Sequence, residues 1–230
     1  MIEPVDSAGG GLTMTVFENF SRFVEAENST ERLQSLENLV HDKPKWQRDL
    51  LIWKVLSLSP PRLEKSRIAH TIRMPIQPCS DWAVITTLLD DSDQDVVGNA
   101  INAMTLSKNR ALGHRVLRFF SSPERPQRIL YCLARFAEEA VDLRFAPFLA
   151  SHLTCDLSDA FLARSFNALF RLGIKSEDAL KVASELIASH IDATNMDRKA
   201  AVSAIVYMCF AGSLEDIEKL ELVRDRVSIP

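Results

Sequence analysis

Residues 88–104 read LLDDSDQDVVGNAINAM, and this stretch decides the fold. Two leucines precede four aspartates, and apolar residues spaced three and four apart follow them. Carboxylates in this position have three interpretations: a metal-binding loop, an acid/base pair, or the turn of a helical repeat. Ala100 and Ala103 are small enough to let two helices approach closely. Asp91 and Asp93 suit a helix N-terminus, which favours side-chain oxygens and negative charge. The pattern therefore favours the turn.

The rest of the chain has helical periodicity. Glycine accounts for only 7 of 230 residues, and no segment alternates apolar and polar residues as a half-buried strand does. Gly173 and Gly212 each follow an apolar run, as C-terminal caps do, and Ser176 precedes two acids at a helix start. The predicted helices cover residues 14–27, 30–41, 44–58, 61–73, 80–90, 93–107, 110–121, 124–139, 142–153, 157–172, 176–190, 195–211 and 213–227.

The opening stretch resembles the HEAT repeat, in which paired leucines, an Asp-x-Asp turn and a second helix with two spaced alanines follow one another. The matching residues are Leu88, Leu89, Asp91, Asp93, Val96, Ala100, Ala103 and Met104. The chain departs from the family at Gln94, where proline is usual, and at Val97, where arginine is usual.

Weaker repeats continue to residue 211. Their second helices are anchored near Ala103, Phe136, Ala168 and Ala204, at spacings of 33, 32 and 36 residues, in or near the range of such units. The resemblance implies an all-α fold: a right-handed α-solenoid of antiparallel helix pairs with about 12–13 helices. We expect residues 14–230 to form one repeat domain, with 74–79 as the candidate break between two sub-blocks. Residues 1–13 are expected to be a disordered leader or a non-native remnant.

Cysteine usage and hydropathy indicate a reducing, non-membrane setting. The four cysteines are 53, 23 and 54 residues apart, so no CxxC pair suggests a zinc knuckle or a redox dithiol. No apolar stretch approaches the roughly 20 residues that span a bilayer. The first residues carry acids where a signal peptide needs positive charge. The sequence therefore predicts a cytoplasmic protein without membrane insertion.

Metal and catalytic motifs are weak. Asp91, Asp93 and Asp95 begin an EF-hand pattern, but Val96 and Asn102 stand where it needs glycine and glutamate. Metal-ligand types also cluster from residue 152 to 159, although His152 suits a helix C-terminus equally well. No nucleophile elbow or phosphate loop occurs. We therefore expect no metal, no cofactor and no enzymatic activity.

The distribution of charge suggests a binding surface. Residues 110–171 hold nine arginines, no lysine and six acids, a net charge of +3 in a chain of net −4. Arginine suits bidentate recognition of carboxylates, and stacked second helices would align such side chains. The alternative is a solvated face whose ion pairs contribute little. The predicted partner-binding residues are Asn102, Arg128, Arg135, Arg164 and Asn167.

These observations predict a non-enzymatic protein-protein interaction module, an adaptor or scaffold that binds a protein or peptide partner. The oligomeric state stays open. One alternative is a nucleic-acid-binding protein similar to the HEAT-like DNA glycosylases, although the acidic chain disfavours nucleic acid. Another is a HEAT-like accessory enzyme such as a bilin lyase, which only an analogy between folds supports.

Overall fold

The computed structural model describes residues 18, 20–40, 45–72, 82–108, 110–121, 126–190 and 198–224. Every regular element in these residues is helical, so the predicted all-α class is confirmed. In chain order the α-helices are α1 (20–25), α2 (Ser29–Val40), α3 (Lys45–Ser57), α4 (Arg62–Ile72), α5 (Trp82–Leu89), α6 (Gln94–Ser107), α7 (Gly113–Val116), α8 (Gln127–Ala140), α9 (Ala146–His152), α10 (Asp159–Arg171), α11 (Glu177–His190), α12 (Arg198–Ala211) and α13 (Leu214–Arg224).

The chain divides into two compact units, residues 1–99 and 100–230, and the division falls inside α6. The predicted break at 74–79 and the predicted leader at 1–13 lie outside the described residues. The prediction that 14–230 form a single repeat domain stays a prediction.

In the first unit, α2 packs against α3 and α4, and α3 packs against α5. The α2 helix begins where Asn28 Oδ1 accepts the backbone N–H of Glu31 at 2.9 Å, which is an N-cap bond. Arg32 on α2 then bonds Glu64 on α4 with Nε and Nη2, at 2.6 and 3.2 Å. A buried carboxylate thus joins the two helices.

In the second unit, α10 lies between α8 and α12, while α9 and α11 pack against each other and against α10 and α12 respectively. Two ring contacts between α10 and α12 join Phe166 to Tyr207 and Phe170 to Phe210. Because the residue numbers rise together along both helices, α10 and α12 run in the same direction.

Residues 110–121, predicted as one helix, form three short pieces. A 3₁₀ segment covers Arg110–Leu112, α7 makes one turn, and a second 3₁₀ segment covers Leu117–Ser121. Arg144 Nη2 donates to the carbonyl of Arg110 at 2.6 Å, which joins the start of this segment to a residue 34 positions further along the chain. Gly113 leaves room for this contact, since a Cβ there would lie 2.6 Å from Arg144 Nη2.

The end of α10 and the start of α11 have the capping residues that the sequence predicts. Gly173 has φ +70°, and the N–H of Ile174 bonds the carbonyl of Leu169 at 3.0 Å, which is the Schellman arrangement after α10. Ser176 Oγ accepts the N–H of Ala179 at 3.3 Å and caps α11. The predicted caps at Gly173 and Ser176 are confirmed, whereas Gly212 follows the end of α12 without a positive φ.

Long-range polar contacts join residues 26–34 positions apart, and those at separations of 31–34 occur in both units. Within the first unit they join Arg32 to Glu64 and Arg62 to Asp93; within the second they join Arg110 to Arg144, Phe120 to His152, Ile174 to Tyr207, and Ser176 to Tyr207.

Candidate partner-binding surface

Three neighbouring helices of the second unit carry solvent-accessible stripes at helical spacing. Positions three and four apart on an α-helix lie on one face, so each stripe marks one side of its helix. We name the combined surface the α8–α10–α12 face. Its exposed or half-buried residues are Arg128, Tyr131, Arg135 and Glu139 on α8; Ala160, Arg164, Asn167, Phe170 and Arg171 on α10; and Lys199, Val202, Val206, Cys209 and Phe210 on α12.

Side-chain contacts across the helices join these stripes into one surface. Arg164 Nη1 on α10 donates to Glu138 Oε2 on α8 at 2.6 Å, and Arg164 also hydrogen-bonds Tyr131. On the other side of α10, the ring of Phe170 meets the ring of Phe210 edge-on, with centroids 5.3 Å apart. The stripes therefore face the same side of the helical layer.

The α8 side of the face is charged, and its arginines have carboxylate partners. Arg135 Nε donates to Glu139 Oε1 at 2.8 Å, one helical turn away. Burial disfavours the charged form of Arg164, but the hydrogen bonds to Glu138 and Tyr131 outweigh it and raise the pKa of the guanidinium. A partner carboxylate that reaches Arg135 or Arg164 therefore meets an ion pair rather than an isolated cation.

The predicted binding residues do not all reach this surface. Arg128 is exposed, and Arg135, Arg164 and Asn167 are half-buried on it. Asn102 is only 8% exposed, and its Oδ1 is buried without a hydrogen-bond partner. Because α6 turns Asn102 inward, we leave this residue out of the α8–α10–α12 face.

The α12 side of the face is apolar, and sequence reasoning did not single it out. Val202 and Val206 are 44% and 42% exposed, and Phe170 on α10 is 42% exposed. Lys175 Nζ lies 5.6 Å from the ring centroid of Phe210, within cation–π range. The available signal was the sequence of α12, RKAAVSAIVYMCFA, which is apolar on most of its circumference. Such a helix is either buried all round or exposes an apolar side.

The aspartates of the opening stretch belong to a turn in the first unit. Asp91 Oδ1 accepts the N–H of Asp93, and Asp93 Oδ1 accepts the N–H of Asp95, both at 2.8 Å. Arg62 bonds Asp93, and this contact is the main reason that the pKa of Asp93 lies below its usual value. Lys65 Nζ lies 2.8 Å from Asp91 Oδ2. The interpretation of these carboxylates as a capped turn is confirmed.

In the second metal alternative, at residues 152–159, His152 and Cys155 have other partners. The two ring nitrogens of His152 lie 2.8 Å from the Phe148 carbonyl and 3.0 Å from the Phe120 carbonyl. Cys155 Sγ donates to the Val182 carbonyl and to Glu185. Over the described ranges, no group of three His, Cys, Asp or Glu side chains has an arrangement that could hold a metal ion.

Cys155 offers a direct test of this local chemistry. Burial is the main reason that the pKa of the Cys155 thiol is raised. The hydrogen bond to Glu185 and the negative charge of Glu185 raise it further. Glu185→Gln removes that charge, so the pKa should fall and the thiolate fraction below the pKa should rise. We expect iodoacetamide to alkylate Cys155 about 3-fold faster at mildly alkaline pH. Mass spectrometry of each peptide, with Cys209 as internal reference, would measure the rate; an unchanged ratio would contradict the assignment.

Comparisons with known proteins do not place the chain in a family. No family model, no curated protein and no solved structure matches it. None of the described helices has the length and apolar character that crossing a membrane requires.

Proposed function

We propose that the chain is an α-solenoid of HEAT-like repeats that acts without catalysis, as a protein-binding module of the cytoplasm. Its partner would bind on the α8–α10–α12 face. The observation that carries this proposal is a continuous surface on three helices, in which side-chain contacts join adjacent helices and exposed apolar and charged residues lie side by side.

The solenoid is supported by recurrence along the chain. Long-range polar contacts at separations of 26–34 residues occur in both units, near the 32–36-residue spacing of the repeat anchors. The packing of α10 between α8 and α12, with α9 and α11 beside it, is what stacked helix pairs produce. The HEAT label rests on the resemblance of residues 88–104, and Arg62 provides Asp93 with the arginine partner that position 97 lacks.

A binding role is supported by the composition of the face. Exposed aromatic and aliphatic side chains beside arginines are typical of protein interfaces. Stacked repeats commonly use an extended surface of this kind to bind other proteins. The cytoplasmic setting is supported by Cys132, Cys155 and Cys209, the three cysteines among the described residues, none of which forms a disulfide.

Charge reversal on the face is expected to remove the partner. In affinity capture from native lysate, the triple variant Arg128→Glu, Arg135→Glu, Arg164→Glu should lose the partner that the wild type retains. The matched control is Arg115→Glu, Arg118→Glu, Lys181→Glu, which changes the net charge equally at exposed positions of the same unit outside the face. We expect the control to retain the partner, because interface charges act through local complementarity rather than net charge.

A second measurement does not depend on the stability of the triple variant. A photo-crosslinking amino acid at Asn167, on the face, should capture the partner, whereas the same amino acid at Glu185, on α11, should not. Equal loss of partner in both triple variants, or crosslinking from Glu185 alone, would remove the face from consideration. If the captured chain instead retains nucleic acid that elutes with salt, the protein-binding proposal fails and the nucleic-acid alternative is favoured.

A further inference from the structure

We draw no further inference here: the strongest candidate, the exposed apolar stripe of α12 formed by Val202, Val206 and Cys209, belongs to the surface already described, and nothing in the structure shows what covers it.

Discussion

Replacing Arg32 by methionine is expected to lower the free energy of unfolding by about 3–5 kcal/mol, because it leaves a buried carboxylate without a counter-charge. Glu64 is 1% exposed, and both of its oxygens accept bonds from the Arg32 guanidinium. The hydrogen bond to Glu64 is also the main reason that the pKa of Arg32 is raised. Arg32 further lies 4.7 Å above the ring of Phe23, and this cation–π contact is lost too.

The same unit provides a matched control. Arg67 Nη1 lies 3.2 Å from Glu37 Oε1, again between α4 and α2, but these side chains are 43% and 42% exposed. Solvent screens such a pair, so Arg67→Met should cost only about 0–1 kcal/mol. Urea unfolding followed by far-ultraviolet circular dichroism would give both values.

A double substitution separates the charge effect from lost packing. Adding Glu64→Leu to Arg32→Met should restore most of the lost stability, since the carboxylate that had no partner is gone. Equal losses of stability for Arg32→Met and Arg67→Met, or no recovery in the double variant, would contradict this prediction. Either result would show that burial does not determine how much the Arg32–Glu64 pair contributes to stability.

Phe120→Ala is expected to destabilise the second unit by about 3–5 kcal/mol through the cavity that it leaves. Phe120 is fully buried, stacks on Phe148 at 5.5 Å between ring centroids, and meets Phe145 and His152 at 6.1 and 5.4 Å. Three aromatic rings from residues 145–152 surround this one ring, so its neighbours have little freedom to collapse into the space.

The adjacent residue serves as the control for this substitution. Phe119 is half-buried, and its ring lies 4.9 Å from the guanidinium carbon of Arg118 on the surface. Phe119→Ala removes the same atoms but opens no enclosed cavity, and should cost about 1 kcal/mol. Thermal and urea unfolding would compare the two variants. Similar losses at both positions would mean that Phe120 is not the centre of a packed cluster.

Helix positions were predictable because their causes are local. The apolar pattern of residues 94–107 and the aspartates before it predict both the helix and its start, and Asp93 caps it as expected. Gly173 ends α10 because glycine adopts a positive φ without a steric penalty. These effects act within one or two turns of chain, so they can be deduced from neighbouring residues.

Residues 110–121 mark where local reasoning failed. Their composition predicts one helix, but Arg144, from 34 positions further along, bonds the carbonyl of Arg110. A contact between residues so far apart in sequence cannot be deduced from the pattern around Gly113. The same holds for Glu138, which is 8% exposed and accepts a bond from Arg164 on another helix.

The candidate surface was predicted in part. Nine arginines in one region indicated a basic patch, and four of the five predicted binding residues are solvent-accessible on the α8–α10–α12 face. Asn102 could not be excluded in advance, since its place on the inward side of α6 depends on what packs there. The exposed valines of α12 were missed because apolar residues are normally assigned to the core.

The sequence by itself determined the all-helical class, most helix boundaries, the caps and the uneven charge, because each follows from residue type and short-range spacing. Only the tertiary structure decided which charges are paired and which apolar residues stay exposed. Val202 and Ala204 lie two positions apart on α12, yet the valine is 44% exposed and the alanine is fully buried. Burial depends on which neighbouring helix covers each side, and that choice is made by contacts between residues distant in sequence.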